Sequence, residues 1–313
     1  MVVVVHVDDI LAHAKDQATM NRFTAELGHK FKLKDMGNAG YYMGCHITRN
    51  RKARELKLDQ HLYVASMVKR FEVKKATKIP TALGVPMLSK VDEPRNPEEK
   101  EKVRKFPYRE AVGALMWTAT MTRPDIACAV RAVARFCENP GPAHEKAVMK
   151  ILQYLLHTEL WGITYGGQGC GLCMEAYTDS DSGACLDTRR SVSCAVLILA
   201  NGAISSHSRM QEVTASGTSE AEYVALSQMV KERWVQNFME PSMRVGTMNV
   251  FEDVEGAITL ATKKHASRRT KYIDVKHHLV RDASDARKVR VAYVRSGDQH
   301  ADLLTKPLDM QKF

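Results

Sequence analysis

Thr218-Ser-Glu-Ala-Glu-Tyr-Val-Ala-Leu-Ser227 decides how the chain is read. Polar residues followed by Ala, Tyr, Val and Leu predict the start of a helix, with a carboxylate turned inward from its first turns. Ser219 precedes Glu222 by three residues, the spacing of a capping box, so a purely structural role for Glu222 stays open. Upstream, Tyr177-Thr-Asp-Ser-Asp-Ser182 ends an alternating, strand-like run with acids. Downstream, Asn249-Val-Phe-Glu-Asp-Val254 does the same, and His300-Ala-Asp-Leu-Leu-Thr-Lys-Pro307 opens a short helix with one more. Carboxylates delivered by strand ends and helix starts are the ligand type for hard divalent cations, provided that they converge.

Around this stretch the sequence predicts a mixed α/β unit. It begins after Gly166-Gly-Gln-Gly-Cys-Gly171, where four glycines in six residues mark a boundary. Strands are expected at Leu172–Thr178, Val192–Leu199 and Ala203–Ser206, with a hairpin turn at Asn201-Gly202. A helix over Ser219–Met239 follows, then strand Met248–Phe251, helix Glu255–Thr262, a basic loop, a helical run Val275–Asp285, strand Val289–Val294 and a last short helix. Before the boundary, Tyr108–Met121, Pro124–Glu138 and Pro142–Leu156 read as packed helices, two of them with proline in a first-turn position. Thr81–Pro107, with four prolines, reads as a linker. His61–Phe71 and Asp16–Phe31 have helical spacing, and Tyr41–Thr48 with Leu56–Leu58 form a strand pair. Val2–Val5 read as a buried strand that begins abruptly; its apolar run is too short for a signal peptide or a membrane span.

The chain has 313 residues, 44% hydrophobic, with a formal net charge of +10, which favours a polyanionic partner. Seven cysteines, an odd number, suit a reducing compartment. Cys170-Gly-Leu-Cys173 lacks the second pair that a zinc site would need and reads as a loop with two thiols.

Taken in order, several short stretches resemble the C-terminal part of the Pol polyprotein of copia-type LTR retrotransposons. His6-Val-Asp-Asp-Ile10 is similar to the reverse-transcriptase tip, with His in place of Tyr. Tyr42-Met-Gly-Cys-His-Ile47 resembles the primer-grip hairpin, and Tyr108–Met116 with Thr122-Arg-Pro-Asp-Ile126 resembles the thumb and connection region. Ser219–Tyr223, Arg269–His278 and Ala301–Leu308 resemble the family's ribonuclease H domain. The chain departs from the family at Thr178-Asp-Ser-Asp-Ser182 and at Asp253-Val-Glu-Gly-Ala-Ile258. Fingers and the first half of the palm are absent from this sequence.

The resemblance implies an α/β (α+β) organisation in three parts: a partial palm with primer-grip hairpin over 1–60, a helical thumb and connection over 61–165, and an RNase H-like mixed-sheet domain over 166–313. It implies hydrolysis of the RNA strand of RNA–DNA hybrids by two Mg²⁺ or Mn²⁺ ions, held by Asp179, Glu222, Asp253 and Asp302 as catalytic metal ligands. Glu220 competes with Glu222, and Asp181 with Asp179. Asp8 and Asp9 are implied as residual polymerase carboxylates, whose third partner this chain lacks. Met43, Gly44, Lys263, Lys264, Arg268, Arg269, Lys271 and Lys276 are the expected nucleic-acid contacts, the basic ones tracking phosphates. A solvated basic face is the plainer reading of that run. The implied setting is the cytoplasm, a virus-like particle or the nucleus, with no membrane partner. Ser182 and Val254, beside expected ligands, keep a second expectation open: a binding-only remnant of a decayed element.

Overall fold

Met174–Ser180 becomes the middle strand of a five-stranded sheet in a computed structural model. The structure describes residues 1–74, 87–212, 214–239, 246–262 and 274–305, the backbone alone for 274–278. In chain order the first strands and helices are β1 (Val2–His6), β2 (Asp9–His13), α1 (Gln17–Gly28), β3 (Tyr41–Tyr42), β4 (Cys45–Asn50), β5 (Glu55–Asp59), α2 (His61–Arg70), α3 (Pro97–Arg104), α4 (Tyr108–Met121), α5 (Ala127–Ala134) and α6 (Pro142–His157). They continue with β6 (Gly162–Gly166), β7 (Met174–Ser180), β8 (Val192–Leu199), β9 (Gly202–Met210), α7 (Thr218–Lys231), α8 (Trp234–Met239), β10 (Met248–Glu252), α9 (Glu255–Thr262), α10 (Asp274–Asp285), β11 (Val289–Tyr293) and α11 (Asp302–Thr305).

The five strands lie in the order β11-β10-β7-β8-β9. β7, β8 and β9 are antiparallel neighbours, while β10 runs parallel to both β7 and β11. β8 shows why both faces are covered. Ala195, Leu197 and Leu199 join the core under α7, α9 and α10, while Val192, Cys194 and Val196 join a smaller core with Ala301 and Leu304 of the α11 segment. Strand alternation separates the two sets, so an unbroken apolar run serves two layers.

The hairpin between β8 and β9 differs from the sequence expectation by one residue. The left-handed positions are Ala200 (φ 51°) and Asn201 (φ 65°), and Gly202 already pairs with Leu199. Gly202 is needed for another reason: a Cβ there would stand 2.4 Å from the Tyr165 ring. Tyr165 lies on β6, a strand the sequence reading did not separate from the boundary. β6 pairs with β5, Leu58 opposite Ile163, and completes a four-stranded antiparallel sheet β3-β4-β5-β6. Asn201 Nδ2 donates to Gly166 O at 3.1 Å and Tyr165 Oη donates to Ala203 O at 2.7 Å, which ties the two sheets together.

The helical layer is a separate core formed by α2, α4, α5 and α6, with Leu115, Ile126, Val133, Ile151 and Leu155 among its buried members. The Thr122–Ile126 run has a structural explanation. Arg123, almost fully buried, makes a two-pronged pair with Asp125 at 2.9 and 2.7 Å and donates to Thr158 O at 2.9 Å. Unpaired, a guanidinium buried here would be strongly destabilising.

Two expectations are corrected. Val3, Val4 and Val5 are exposed, Val5 at 63%, on a two-stranded hairpin, β1–β2, that joins neither of the larger sheets. The part of the expected linker that is described, 87–107, contains α3, which starts on Pro97 with the Asn96 side chain capping Glu99 N. Proline fits a first helical turn, where its missing N–H costs nothing. Pro124 likewise opens a short 3₁₀ turn (Pro124–Ile126), and α5 ends at Ala134, short of the expected Glu138.

Candidate active site

The parallel register of β10 on β7 sets the site. Phe251 pairs with Tyr177, so two residues further along each chain Asp253 stands level with Asp179. α7 crosses the sheet and presents Glu222 to them. One ligand oxygen each from Asp179, Glu222 and Asp253 lies within 4.8 Å of the others. Asp179 and Glu222 are buried and Asp253 is half-buried.

The rival acids are used otherwise. Glu220 turns back to Ser216, whose N–H donates to it at 2.8 Å, at a helix start capped by Gly217. The N-cap position falls on Gly217, not on Ser219. Asp181 Oδ1 accepts from Val192 N at 2.9 Å and Ala184 N at 3.3 Å, closing the loop after β7. Asp302 is buried at the first residue of α11, but it stands outside the three-oxygen group.

Three residues that the sequence reading passed over shape the site. Thr305 Oγ1 donates to Asp179 Oδ2 and to Asp302 O, linking the two segments. Ser296 Oγ donates to Asp253 Oδ2 at 2.8 Å. Glu252, fully buried, accepts from Thr178 Oγ1 at 2.8 Å. Its only sequence signal was its place beside Asp253 at the end of an apolar strand.

So many acids in one place repel each other. Burial, then Glu252, Asp179 and Asp253, push the Glu222 carboxyl far above its ordinary range. Burial also raises Glu252, against the hydrogen bonds from Thr178 and Val254. Glu222 Oε2 and Asp253 Oδ1 are buried with no hydrogen-bond partner. Buried carboxylate oxygens without donors are destabilising unless a proton or a cation meets them. An all-oxygen set of this kind fits Mg²⁺ or Mn²⁺ better than a soft metal.

The other expected contacts are scattered. Asp8 and Asp9 sit at the exposed tip of the β1–β2 hairpin, where Val7 has φ 53°. Met43 (φ 48°) and Gly44 (φ 78°) form the half-buried β3–β4 turn beside Trp117. Lys263, Lys264, Arg268, Arg269 and Lys271 lie outside the described residues, and Lys276 lies where only the backbone of α10 is described. None of the seven cysteines forms a disulfide. No described helix is long and apolar enough to cross a membrane.

Comparison with known proteins bears on the family and the fold. Residues 1–86 match the family model described as reverse transcriptase (RNA-dependent DNA polymerase). The chain is 36% identical to the retrovirus-related Pol polyprotein from transposon TNT 1-94 of Nicotiana tabacum, over 100% of its own length and 24% of that protein. It is 30% identical to the corresponding polyprotein from transposon RE1 of Arabidopsis thaliana, over 99% of its length and 21% of that protein. A foamy viral protease-reverse transcriptase solved in complex with double-stranded DNA shares the fold, with a TM-score of 0.50 over 94% of this chain and 46% of that one, at 9% identity. The chain therefore spans a quarter or less of these plant polyproteins, and along that span it belongs to the family of copia-type, retrovirus-related Pol polyproteins.

Proposed function

We propose that this chain hydrolyses the RNA strand of RNA–DNA hybrids, with two divalent ions held by Asp179, Glu222 and Asp253 and with Asp302 completing the set. The observation that carries the reading is the convergence of three acids from β7, α7 and the end of β10, two of them with buried oxygens that lack a donor. Ions bound there would supply an activated water and neutralise the charge developing on the leaving 3′ oxygen. The chain's own residues set the geometry. Thr305 fixes one oxygen of Asp179, and Ser296 fixes one oxygen of Asp253. Burial of Asp179 and Glu222 lowers the local dielectric, which strengthens their hold on cations. Mg²⁺ is the expected ion and Mn²⁺ the substitute. The partner is the hybrid, gripped through its phosphates by the basic 263–290 stretch.

The test is cleavage of a labelled RNA–DNA hybrid with and without Mg²⁺, for the parent chain and Asp179→Asn. Metal-dependent cleavage lost in the variant supports the reading. Hybrid binding without cleavage, from folded protein, refutes it and favours the binding-only remnant suggested by Ser182 and Val254. Polymerase activity is not expected from this chain alone, because Asp8 and Asp9 stand on a solvent-exposed hairpin tip without the third carboxylate that the family implies. Extension of a primed RNA template by this polypeptide would overturn that expectation.

A further inference from the structure

A second cluster of ligand atoms lies far along the chain from the acids, where β4, β5 and α2 meet. His46 on β4 is the direct cross-strand partner of Asp59 on β5. Asp59 is followed, two residues on, by His61, the first residue of α2. His46 Nδ1 lies 3.4 Å from Asp59 Oδ2, and His61 Nδ1 is hydrogen-bonded to Asp59 Oδ1. One ligand atom from each of the three residues falls within 4.8 Å of the other two. Each carboxylate oxygen faces one ring, and both rings turn the same nitrogen toward it. The rings meet edge to face, with centroids 5.0 Å apart at 82°, so neither blocks the other by stacking.

We propose that His46, Asp59 and His61 bind a divalent late first-row metal ion, with Zn²⁺ the best fit. Two imidazoles and one carboxylate form the ligand set of open zinc sites, which keep the fourth position for water. Imidazole donors favour Zn²⁺, Cu²⁺ or Ni²⁺ and give Mg²⁺ no advantage, so this site differs in chemistry from the all-oxygen acid cluster. The backbone is preorganised. A ladder pair holds His46 to Asp59, and the His61 N–H bonded to Asp59 Oδ1 at 3.3 Å fixes the turn into the helix. The Asp59 side chain is 7% exposed and that of His46 is 40% exposed, which places the carboxylate at the floor and an imidazole at an accessible rim. An ion bound here would tie the β4–β5 hairpin to α2, and thereby the small sheet to the helical core, in which Val64 and Met67 of α2 are buried. The spacing of the three residues matches no sequential metal motif. The site exists only through strand pairing, and no scan of the sequence would find it.

The competing arrangement is a hydrogen-bonded cluster in which Asp59 accepts an N–H from each ring and takes up no ion. Titration of the whole chain with Co²⁺, after chelation and in a large excess of Mg²⁺, separates the two. Mg²⁺ occupies the oxygen-only acids and competes poorly for imidazole. The expected result is one equivalent of Co²⁺ with the intense visible absorption of a four- or five-coordinate nitrogen-ligated ion, displaced by Zn²⁺. His46→Ala and His61→Ala should each weaken binding at least about tenfold. His46→Ala is the safer variant, since its side chain is more exposed than that of His61, and circular dichroism without metal confirms its fold. Zn²⁺ should also raise the Tm of the parent chain and not that of His46→Ala. Absence of the absorption in folded parent protein overturns the proposal. So do variant affinities equal to the parent's and an equal Tm rise in parent and His46→Ala.

Discussion

Neutralising Glu222 should stabilise the metal-free protein while destroying its response to metal. Glu222 is buried beside Glu252, and Asp179 and Asp253 have ligand oxygens within 4.8 Å of its own. Two like charges at that distance repel by about 3 kcal/mol at an effective dielectric near 20. The folded carboxyl therefore titrates above its unfolded range. A carboxyl with a raised folded pKa makes the native state bind more protons than the unfolded chain. Its contribution to stability is full below the unfolded value, near pH 4, and is lost as pH rises from there through the folded value of about 10. Glu222→Gln keeps the shape and removes the titration. In chelator at pH 8 the variant should be more stable than the parent by on the order of 3 kcal/mol, or several degrees in Tm. Near pH 4 the difference should vanish. Millimolar Mg²⁺ should stabilise the parent and leave the variant nearly unchanged. Thermal melts across this pH range, with and without metal, measure all of these quantities. A variant that is less stable than the parent in chelator at pH 8, or a gap that does not shrink in acid, would refute the claim that burial and the neighbouring acids together hold the Glu222 carboxyl up.

Two further substitutions test its walls. Thr305→Val removes the hydroxyl that donates to Asp179 and should lower hybrid cleavage about tenfold and raise the Mg²⁺ needed, at a stability loss of only about 1 kcal/mol; unchanged metal dependence would show that Asp179 needs no such orientation. Gly256 lets α9 lie against the start of α7, since a Cβ there would stand 2.2 Å from Ser219 Oγ. Gly256→Ala should destabilise by about 1–3 kcal/mol in denaturant unfolding, and adding Ser219→Gly should recover most of the loss; a double variant no better than the single one would place the strain elsewhere.

The sequence and the structure agree most closely where burial is continuous. β8 is apolar on both faces, so its bounds, Val192–Leu199, could be read directly. Glu220 and Glu222 both fall in the first turns of one helix, and the structure separates them, with Glu222 inward and Glu220 in a capping turn. What escaped the sequence depends on distant partners. β6 has glycine at both ends, and its partner β5 lies about a hundred residues earlier, so nothing local marks it as a strand. Val2–Val5 carry a core-like composition, yet no described element covers them, because composition says what a strand can bury and not what is there to bury it. Glu252 and Asp253 are adjacent acids with different surroundings, one fully buried on Thr178 and one facing Asp179 and Glu222. Only the register of β10 on β7 tells them apart.

The helical layer bears on the acid site through α11. A helix of four residues cannot hold its own conformation, since nucleation costs more than so few bonds return. Its carbonyls are instead held from outside. Cys194 Sγ donates to Leu304 O at 2.8 Å, and Ser208 Oγ donates to the same oxygen at 2.7 Å. Ser208 in turn accepts from Arg131 Nε of α5 at 3.0 Å, and Cys128 of α5 reaches Thr305 O at 3.4 Å. Thr305 then donates its hydroxyl to Asp179. One continuous set of contacts thus runs from α5 to the buried carboxylate of Asp179. The Gly166–Gly171 stretch marks a break in composition but not in this network. Residues 166–313 expressed without α5 would keep the acids and lose two of the contacts that fix α11. Orientation of Asp179, and with it metal affinity, should suffer before the sheet itself does.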